Sequence, residues 1–412
     1  MRILIHDFAG HPFQADLSRA LAARGHQVIH AHFAEDVGPK GALRSTAQDP
    51  SSLEFVALSL GGLYAKHALL HRRANDRRYG ALVAELIDKT KPQVVLSGNT
   101  PLDAQALVMR ATHQIGGRFV FWVQDVFCEG IEWVLKRKGI PFSHAIASFY
   151  RHKERKLLLA SDAVVLISPD FMSVFSSWGI DPQRVSVIPN WAPIAELPVM
   201  TQENGWSIAH GLAGKRVVLY SGTLGMKHQP EMLLELAKAV RGDESTVVAV
   251  IASSVGAEWL AAQARSHDLK NLRIFPLQPF ELMPQVLATG SVLVTLLEKS
   301  SGKFAVPSKN LTYLCAARPV LASVPSGNLS AAILRESGAG VTVEPGDSHA
   351  FISACQRLLD DPARCDDMGA RGRSYAEQNF RISDIVVRFE QVMRAESPSA
   401  SAEPELTVSL AD

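Results

Sequence analysis

The chain has 412 residues, 47% of them apolar, and a formal net charge of +1. This length suits two domains that each bury a core, and no stretch approaches the roughly 20 apolar residues of a membrane-spanning helix. Four scattered cysteines, Cys128, Cys315, Cys355 and Cys365, show neither zinc spacing nor a disulfide pattern, so reduced structural thiols are expected.

Residues 2–6 read as a strand and not as a signal peptide, which predicts a cytoplasmic protein. Asp7-Phe8-Ala9-Gly10-His11-Pro12 follows. Gly10 permits close backbone approach to a sugar or phosphate. His11 can hydrogen-bond a ligand, although a loop histidine is more commonly incidental. The absence of Gly-x-Gly-x-x-Gly argues against a nicotinamide or flavin, and no cofactor is expected. A helix is expected over 13–24, with Leu17, Ala20 and Leu21 on one face and Gly25 as its stop. Strands follow near 27–33, 53–57, 93–97, 118–124, 163–167 and 185–188, with helices between them that include 101–115, 143–159 and 169–178. This alternation predicts a parallel sheet covered on both faces.

Gln124-Asp125 closes the apolar strand Phe119-Val120-Phe121-Trp122-Val123. A carboxylate at that end points to the ligand side of such a sheet, where Asp125 can orient or deprotonate an acceptor hydroxyl; a cap or turn former is the plainer reading. Basic residues gather at Lys66, Arg72, Arg73, Arg77 and Arg78, at Lys136, Arg137 and Lys138, and at Arg151, Lys153, Arg155 and Lys156. Residues 1–200 hold 22 Lys+Arg against 18 Asp+Glu, or +4, and residues 201–412 hold 20 against 23, or −3. Solvated helix faces account for the clusters; so does a surface that meets anionic lipid, with Trp133 and Val134 beside it.

Pro189-Asn190-Trp191-Ala192-Pro193, with Pro198 soon after, marks a boundary, and Asn190 either contacts ligand or shapes the turn. The alternation then restarts, with strands near 216–220, 246–251, 272–275, 291–296, 319–323 and 340–343. Helices fit 229–241, 256–266, 281–289, 308–317, 328–335 and 347–360, and two more, 362–377 and 382–395, close the chain. The expected architecture is α/β, with two doubly wound Rossmann-like domains over 1–195 and 196–380, a closing helix over 381–395 and a disordered tail over 396–412.

Val217 to Lys227, VVLYSGTLGMK, is the most informative stretch. A strand empties into a glycine loop, and a lysine waits before the next helix. Gly222 and Gly225 let backbone amides approach a phosphate, and a helix start at about residue 229 favours negative charge. Lys227 can offset charge that builds on a leaving diphosphate. A second such junction is Val306-Pro307-Ser308-Lys309, where Ser308 can cap the helix or offer a hydroxyl. A lysine at a helix start opposes the helix dipole unless an anion is present, so Lys227 and Lys309 read as phosphate ligands ahead of surface lysines. No Asp-x-Asp pair in a suitable place and no His/Cys cluster is found, so no metal is expected.

These segments resemble the family 4 retaining glycosyltransferases, which have the GT-B fold. The likeness covers about residues 1–394. It rests most on Ala160-Ser161-Asp162 leading to Ile167-Ser168, Val187-Ile188-Pro189-Asn190-Trp191, Tyr220-Ser221-Gly222-Thr223-Leu224-Gly225, and Pro307-Ser308-Lys309 through Tyr313 to Arg318-Pro319-Val320. Within the family the chain looks most like the colanic-acid and exopolysaccharide branch, and it is similar to N-acetylfucosaminyl transferases of O-antigen assembly. The resemblance implies a nucleotide-sugar donor on the C-terminal domain, a saccharide or lipid-linked saccharide acceptor on the N-terminal domain, retention at the anomeric carbon and no metal. No nucleic-acid partner is expected. Lys227 matches the lysine of the family's diphosphate loop, and Thr223 stands where many members carry arginine. Many members also have two glutamates separated by seven residues. Aligned through Arg318-Pro319, the second falls on Thr312 and the first near Phe304, neither acidic, and Glu298 lies outside that spacing. Thr312 retains only a hydroxyl contact to a ribose. A GT-B nucleotide-sugar epimerase and a degenerate nucleotide-sugar-binding subunit are the alternatives.

Overall fold

The computed structural model of the protein describes residues 1–36, 40–62, 69–137, 139–299 and 306–394, with the side chains of Leu69, Leu70 and Lys227 outside that description. Lys66, Lys138, the position near Phe304 and the tail read as disordered also lie outside the described residues.

Short apolar runs rich in β-branched and aromatic residues become strands buried on both faces, as parallel sheets require. The first sheet contains β1 (Arg2–Asp7), β2 (Gln27–Phe33), β3 (Leu53–Leu58), β4 (Val94–Gly98), β5 (Arg118–Val123), β6 (Ala163–Leu166) and β7 (Val185–Val187), in the order β3-β2-β1-β4-β5-β6-β7. The second contains β8 (Arg216–Ser221), β9 (Thr246–Ile251), β10 (Leu272–Phe275), β11 (Val292–Leu296), β12 (Val320–Ser323) and β13 (Gly340–Val343), in the order β10-β9-β8-β11-β12-β13. Every pairing is parallel. Chain order therefore reverses between β1 and β4, and again between β8 and β11. Ligands of open parallel sheets bind beyond the strand C-termini at these reversals.

Along the first half run α1 (Pro12–Ala23), α2 (Leu69–Thr90), α3 (Leu102–Gln114), α4 (Phe127–Arg137), α5 (Ser143–Ala160) and α6 (Phe171–Ser176). Then come α7 (Gly205–Ala209), α8 (Glu231–Ala239), α9 (Val255–Ser266), α10 (Met283–Thr289), α11 (Lys309–Cys315), α12 (Leu329–Ser337) and α13 (Ser348–Leu359). Last are α14 (Pro362–Asn379) and α15 (Ile382–Arg394). The strands lie within one or two residues of the expected bounds. The helix expected over 229–241 starts later, because Gln229 adopts φ 47° and a 3-10 turn, Met226–His228, takes up the preceding residues.

The last helix returns to the first sheet. Glu390 on α15 accepts both guanidinium N–H bonds of Arg24 (2.7 and 3.0 Å) and one from His26 (3.0 Å). Phe389 packs beside Trp122 of β5 and Trp191 of the proline-rich linker, with Phe13 of α1 completing the cluster. Trp191 Nε1 donates to half-buried Asp16 at 2.9 Å. Its burial, partly offset by that hydrogen bond, pushes the Asp16 carboxyl up to about 6. Arg373 of α14 ties the other end of the linker, donating to the carbonyls of Leu197 (2.8 Å) and Cys315 (2.9 Å).

Candidate functional site

The residues singled out in sequence collect in two groups, one beyond each sheet's strand ends. The first group lies past β1, β4 and β5. Asp7, at the end of β1, is fully buried, and its carboxylate accepts the amide N–H groups of Ala9 (3.1 Å) and His11. His11 Nδ1 lies 3.3 Å from Asp7 Oδ1. Gly10 between them has φ 75°, and a Cβ there would fall 2.6 Å from Leu43 Cδ1, so the tight loop requires glycine. Asn99, just past β4, also takes a left-handed conformation, φ 54°, and brings its amide nitrogen 2.9 Å from His11 Nδ1 and 3.4 Å from Nε2. Nothing in the sequence marked Asn99; a strand-end asparagine tolerant of positive φ was the available signal.

Asp125 belongs to this group, since its charge acts on His11. Burial opposes a charged imidazole, but Asp7, with Asp36 and Asp125 adding, outweighs it and raises the His11 pKa. Burial alone would raise Asp7, yet His11 and His30 hold its carboxyl below the ordinary value. Gln124 and Asn190 join side chain to side chain, Asn190 Nδ2 donating to Gln124 Oε1 at 2.6 Å and Gln124 Nε2 to Asn190 Oδ1 at 3.3 Å. Asn190 thus ties the linker turn to the end of β5.

The placement of Asp125 depends on a remote cap. Glu154, buried in α5, accepts the first amides of α4, those of Phe127 (3.0 Å) and Cys128 (2.8 Å). Burial pushes its carboxyl up to about 7 against those hydrogen bonds. The start of α4 is illegible locally because its cap comes from 27 residues downstream.

The second group lies past β8 and β11. Its glycine loop is braced from within. Gly222, φ 124°, donates its amide to Ile251 O (2.9 Å), Leu224 to Ser254 Oγ (3.2 Å) and Gly225 to His228 Nδ1 (2.9 Å). The amides of Gly222 and Gly225 themselves serve the loop. The amide of exposed Thr223 has no such partner among the described residues. Gly256 lets the loop sit against α9, where a Cβ would stand 2.2 Å from Leu224 O. Tyr313 of α11 clamps the strand end, accepting from Ser221 N–H (2.9 Å) and donating to Ser221 O (3.2 Å). Tyr220 donates to Thr223 O at 2.8 Å.

The α11 junction joins this loop. Lys309 Nζ lies 3.6 Å from the Tyr220 ring centroid, a cation–π geometry, and 3.7 Å from the Cβ position of Gly222. Ser308 is exposed and makes no side-chain cap, contrary to one of its expected roles. Thr312 is half-buried on the same helix. Lys227 lies in the 3-10 turn that follows the loop. Across the two groups, Arg137 of α4 donates to Glu298 beyond β11 at 3.0 Å. No group of three His, Cys, Asp or Glu that could hold a metal occurs among the described residues.

The basic clusters are largely neutralised. Arg151 pairs with Glu129 and Glu132, Lys136 with Glu132, and Lys153 and Arg73 with Asp103. The same α4–α5 region exposes apolar side chains instead: Phe142 is 84% exposed at φ 58°, Phe149 48% and Val134 38%. No helix among the described residues is long and apolar enough to cross a membrane.

Two parallel α/β sheets of this kind are the GT-B fold, and comparison with known proteins gives the class. A glycosyl transferase 4-like domain model matches residues 10–191, and a glycosyl transferases group 1 model matches residues 215–361. The chain belongs to the family 4 glycosyltransferases. It is 25% identical over 281 residues to WcaI of Escherichia coli (strain K12), named for colanic acid biosynthesis, with 66% of this chain and 67% of that protein covered. It is 27% identical over 306 residues to the glycosyltransferase WbjE of Pseudomonas aeruginosa, with 73% and 74% covered. Among solved structures, sucrose-phosphate synthase of Thermosynechococcus elongatus aligns at TM-score 0.73 and 16% identity, covering 96% of this chain and 98% of that one. HepE of Anabaena, in complex with UDP-glucose, aligns at TM-score 0.69 and 14% identity, covering 96% and 100%. These two structures share the fold.

Proposed function

We propose that the protein is a retaining, metal-independent glycosyltransferase that moves a sugar from a nucleotide-sugar donor to a lipid-linked saccharide in bacterial exopolysaccharide or O-antigen assembly. The observation that carries this reading is the meeting of the glycine loop and α11 at the β8–β11 reversal, with Lys309 beneath Gly222. A diphosphate set there would meet the Thr223 amide, the Ser308 hydroxyl and the Lys309 and Lys227 charges, with Gly222 and Gly225 shaping the loop. Thr312 would reach the ribose. Gly10, His11 and Asn190 would face the sugar from the other side, and Asp125 would orient the acceptor hydroxyl. The relatives named for polysaccharide synthesis support the acceptor class, and the resemblance to family 4 supports retention.

The protein acts in the cytoplasm, peripherally on the membrane's inner face. Since the basic residues are mostly paired, contact with anionic lipid rests on Val134, Phe142 and Phe149, with charge secondary. The test is a thermal-shift screen of UDP-, GDP- and dTDP-sugars, because a ligand that binds only the folded state raises Tm. Stabilisation by one class, and transfer from it that survives excess EDTA with retained anomeric configuration, is expected. No stabilisation by any nucleotide sugar overturns the reading.

A further inference from the structure

We infer that His228 is a positioning residue for the nucleotide sugar, and that it makes the hold of the glycine loop on the donor weaken as pH falls; this rests on the donor reading above. Three amides of that loop are tied back to the protein: Gly222 to Ile251 O, Leu224 to Ser254 Oγ and Gly225 to His228 Nδ1 at 2.9 Å. The carbonyl and the hydroxyl stay neutral across the working pH range. The imidazole does not, since histidine ordinarily changes charge between about pH 5 and 8. A backbone N–H can only donate, so the bond from Gly225 requires a bare Nδ1 and places the ring proton on Nε2. Protonation puts a hydrogen on Nδ1 opposite the Gly225 N–H, and that bond is lost.

Gly225 is the N-cap of the 3-10 turn Met226–His228. His228, the third residue of that turn, reaches back to the N-cap amide, while its own amide donates to Gly225 O at 2.9 Å. Glutamate or glutamine commonly takes this position in a capping box, and each is an acceptor at neutral pH whatever happens to histidine. Here the box closes on a ring that titrates. The turn carries Lys227, so the contact that holds Gly225 also sets how the Lys227 backbone leaves the loop. It fixes one end of the segment whose Thr223 amide has no partner among the described residues. Gln229 ends the turn at φ 47°, a conformation that costs energy in a residue with a side chain, so contacts and not local preference hold the turn. The ionisable groups on the elements around His228 are Lys227 in the turn, Glu231 at the start of α8 and Glu258 in the first turn of α9, which packs against the turn. Asp347 and His349 follow Gly346, whose Cβ position lies 3.9 Å from Gln229 Nε2. Lys309 is the cation at the other end of the loop, 3.7 Å from the Cβ position of Gly222.

Two measurements on the full chain test this. The first follows the Gly225 amide by NMR between about pH 5 and 8, without ligand, in wild type and in His228→Gln. The signal titrates together with the His228 ring in wild type and stays put in the variant, whose side-chain oxygen accepts the same bond throughout. A wild-type Gly225 signal that ignores the ring's titration overturns the brace, whether or not any nucleotide sugar binds. The second measures calorimetric affinity for UDP-glucose, dTDP-glucose and GDP-mannose, whose diphosphate diesters do not titrate in this range, in wild type, His228→Gln and His228→Ala. For the one that binds, wild-type affinity falls roughly 10-fold from the top of the range to the bottom, in keeping with the loss of one hydrogen bond. His228→Gln keeps the high-pH affinity throughout, within about threefold, and His228→Ala has the low-pH affinity throughout. Lys227, Glu231, Glu258, Asp347 and His349 are common to all three proteins, so the difference between wild type and His228→Gln isolates His228. An equal pH dependence in wild type and His228→Gln overturns the inference. So does wild-type affinity that rises as pH falls, because the imidazolium then meets the diphosphate directly. If none of the three binds to wild type, the donor reading falls and the positioning role with it, while the Gly225 signal still decides the brace.

Discussion

The two strand-end groups are made of different materials. Past β1, β4 and β5 charged side chains meet: Asp7 and His11 act on each other, and Asp36 and Asp125 act on His11. Past β8 and β11 the loop is fixed by the hydroxyls of Tyr220, Tyr313 and Ser254 and by the imidazole of His228. A lysine is the charged side chain brought against it. In the proposed reading the first half receives the acceptor, and the second holds a diphosphate still while its charge grows. Rigid donors aimed at developing charge act mainly on the transition state.

The largest effect expected lies on the rigid side. Lys227→Ala cuts turnover by roughly 10²-fold or more, as loss of a charge-stabilising donor does, and leaves the His11 titration unchanged. Turnover within threefold of wild type in a folded variant removes Lys227 from the diphosphate site. Next comes Asp125→Asn, which keeps size and polarity but loses charge. Transfer falls by at least roughly 10-fold with near-normal donor affinity by calorimetry. Loss of donor binding instead would move Asp125 to the other group.

Tyr313→Phe sharpens the comparison with a smaller change. It leaves the Ser221 amide and carbonyl without their buried partner, which costs about 1–3 kcal/mol. Tm falls and donor affinity weakens, while the His11 titration stays in place. A shift of that titration shows that the groups are not separable.

The smallest effect concerns neither group but the helix that closes the first. Hydrogen bonds from Arg24 lead in holding the Glu390 carboxyl down to about 2, from the ordinary 4.5. A carboxylate depressed in the folded state contributes stability above its unfolded pKa and loses it as pH falls through the folded one. The Tm difference between wild type and Glu390→Gln is therefore full above about 4.5 and shrinks toward pH 2. A difference independent of pH shows that the ion pair does not anchor α15.

The strands were legible because parallel sheets bury both faces, and runs such as Phe119 to Val123 carry no other plausible form. The loops were legible as glycine-lysine patterns but not in their wiring. Gly222 and Gly225 announce tight backbone, yet whether their amides face a ligand or Ile251 and His228 depends on β9 and the 3-10 turn. Asn99 and Glu154 escaped notice because each acts through partners 88 and 27 residues away. The basic clusters were legible, but not their acidic partners, because Glu132 and Asp103 reach Arg151 and Lys153 only once α3, α4 and α5 pack together.

The central claim of the proposed function is a division of labour: nucleotide on the second sheet, acceptor on the first. Its most direct measurement is calorimetric affinity for UDP, GDP or dTDP, whichever raises Tm most, in Gly222→Ala and His11→Gln side by side. Gly222 sits at φ 124°, so alanine strains the loop and sets a Cβ 3.6 Å from Lys309 Cε. Affinity is predicted to fall at least roughly 10-fold in Gly222→Ala, which is about 1.4 kcal/mol, and to stay within threefold in His11→Gln. The reverse pattern, with nucleotide binding lost on the histidine side and kept on the glycine side, would contradict the account.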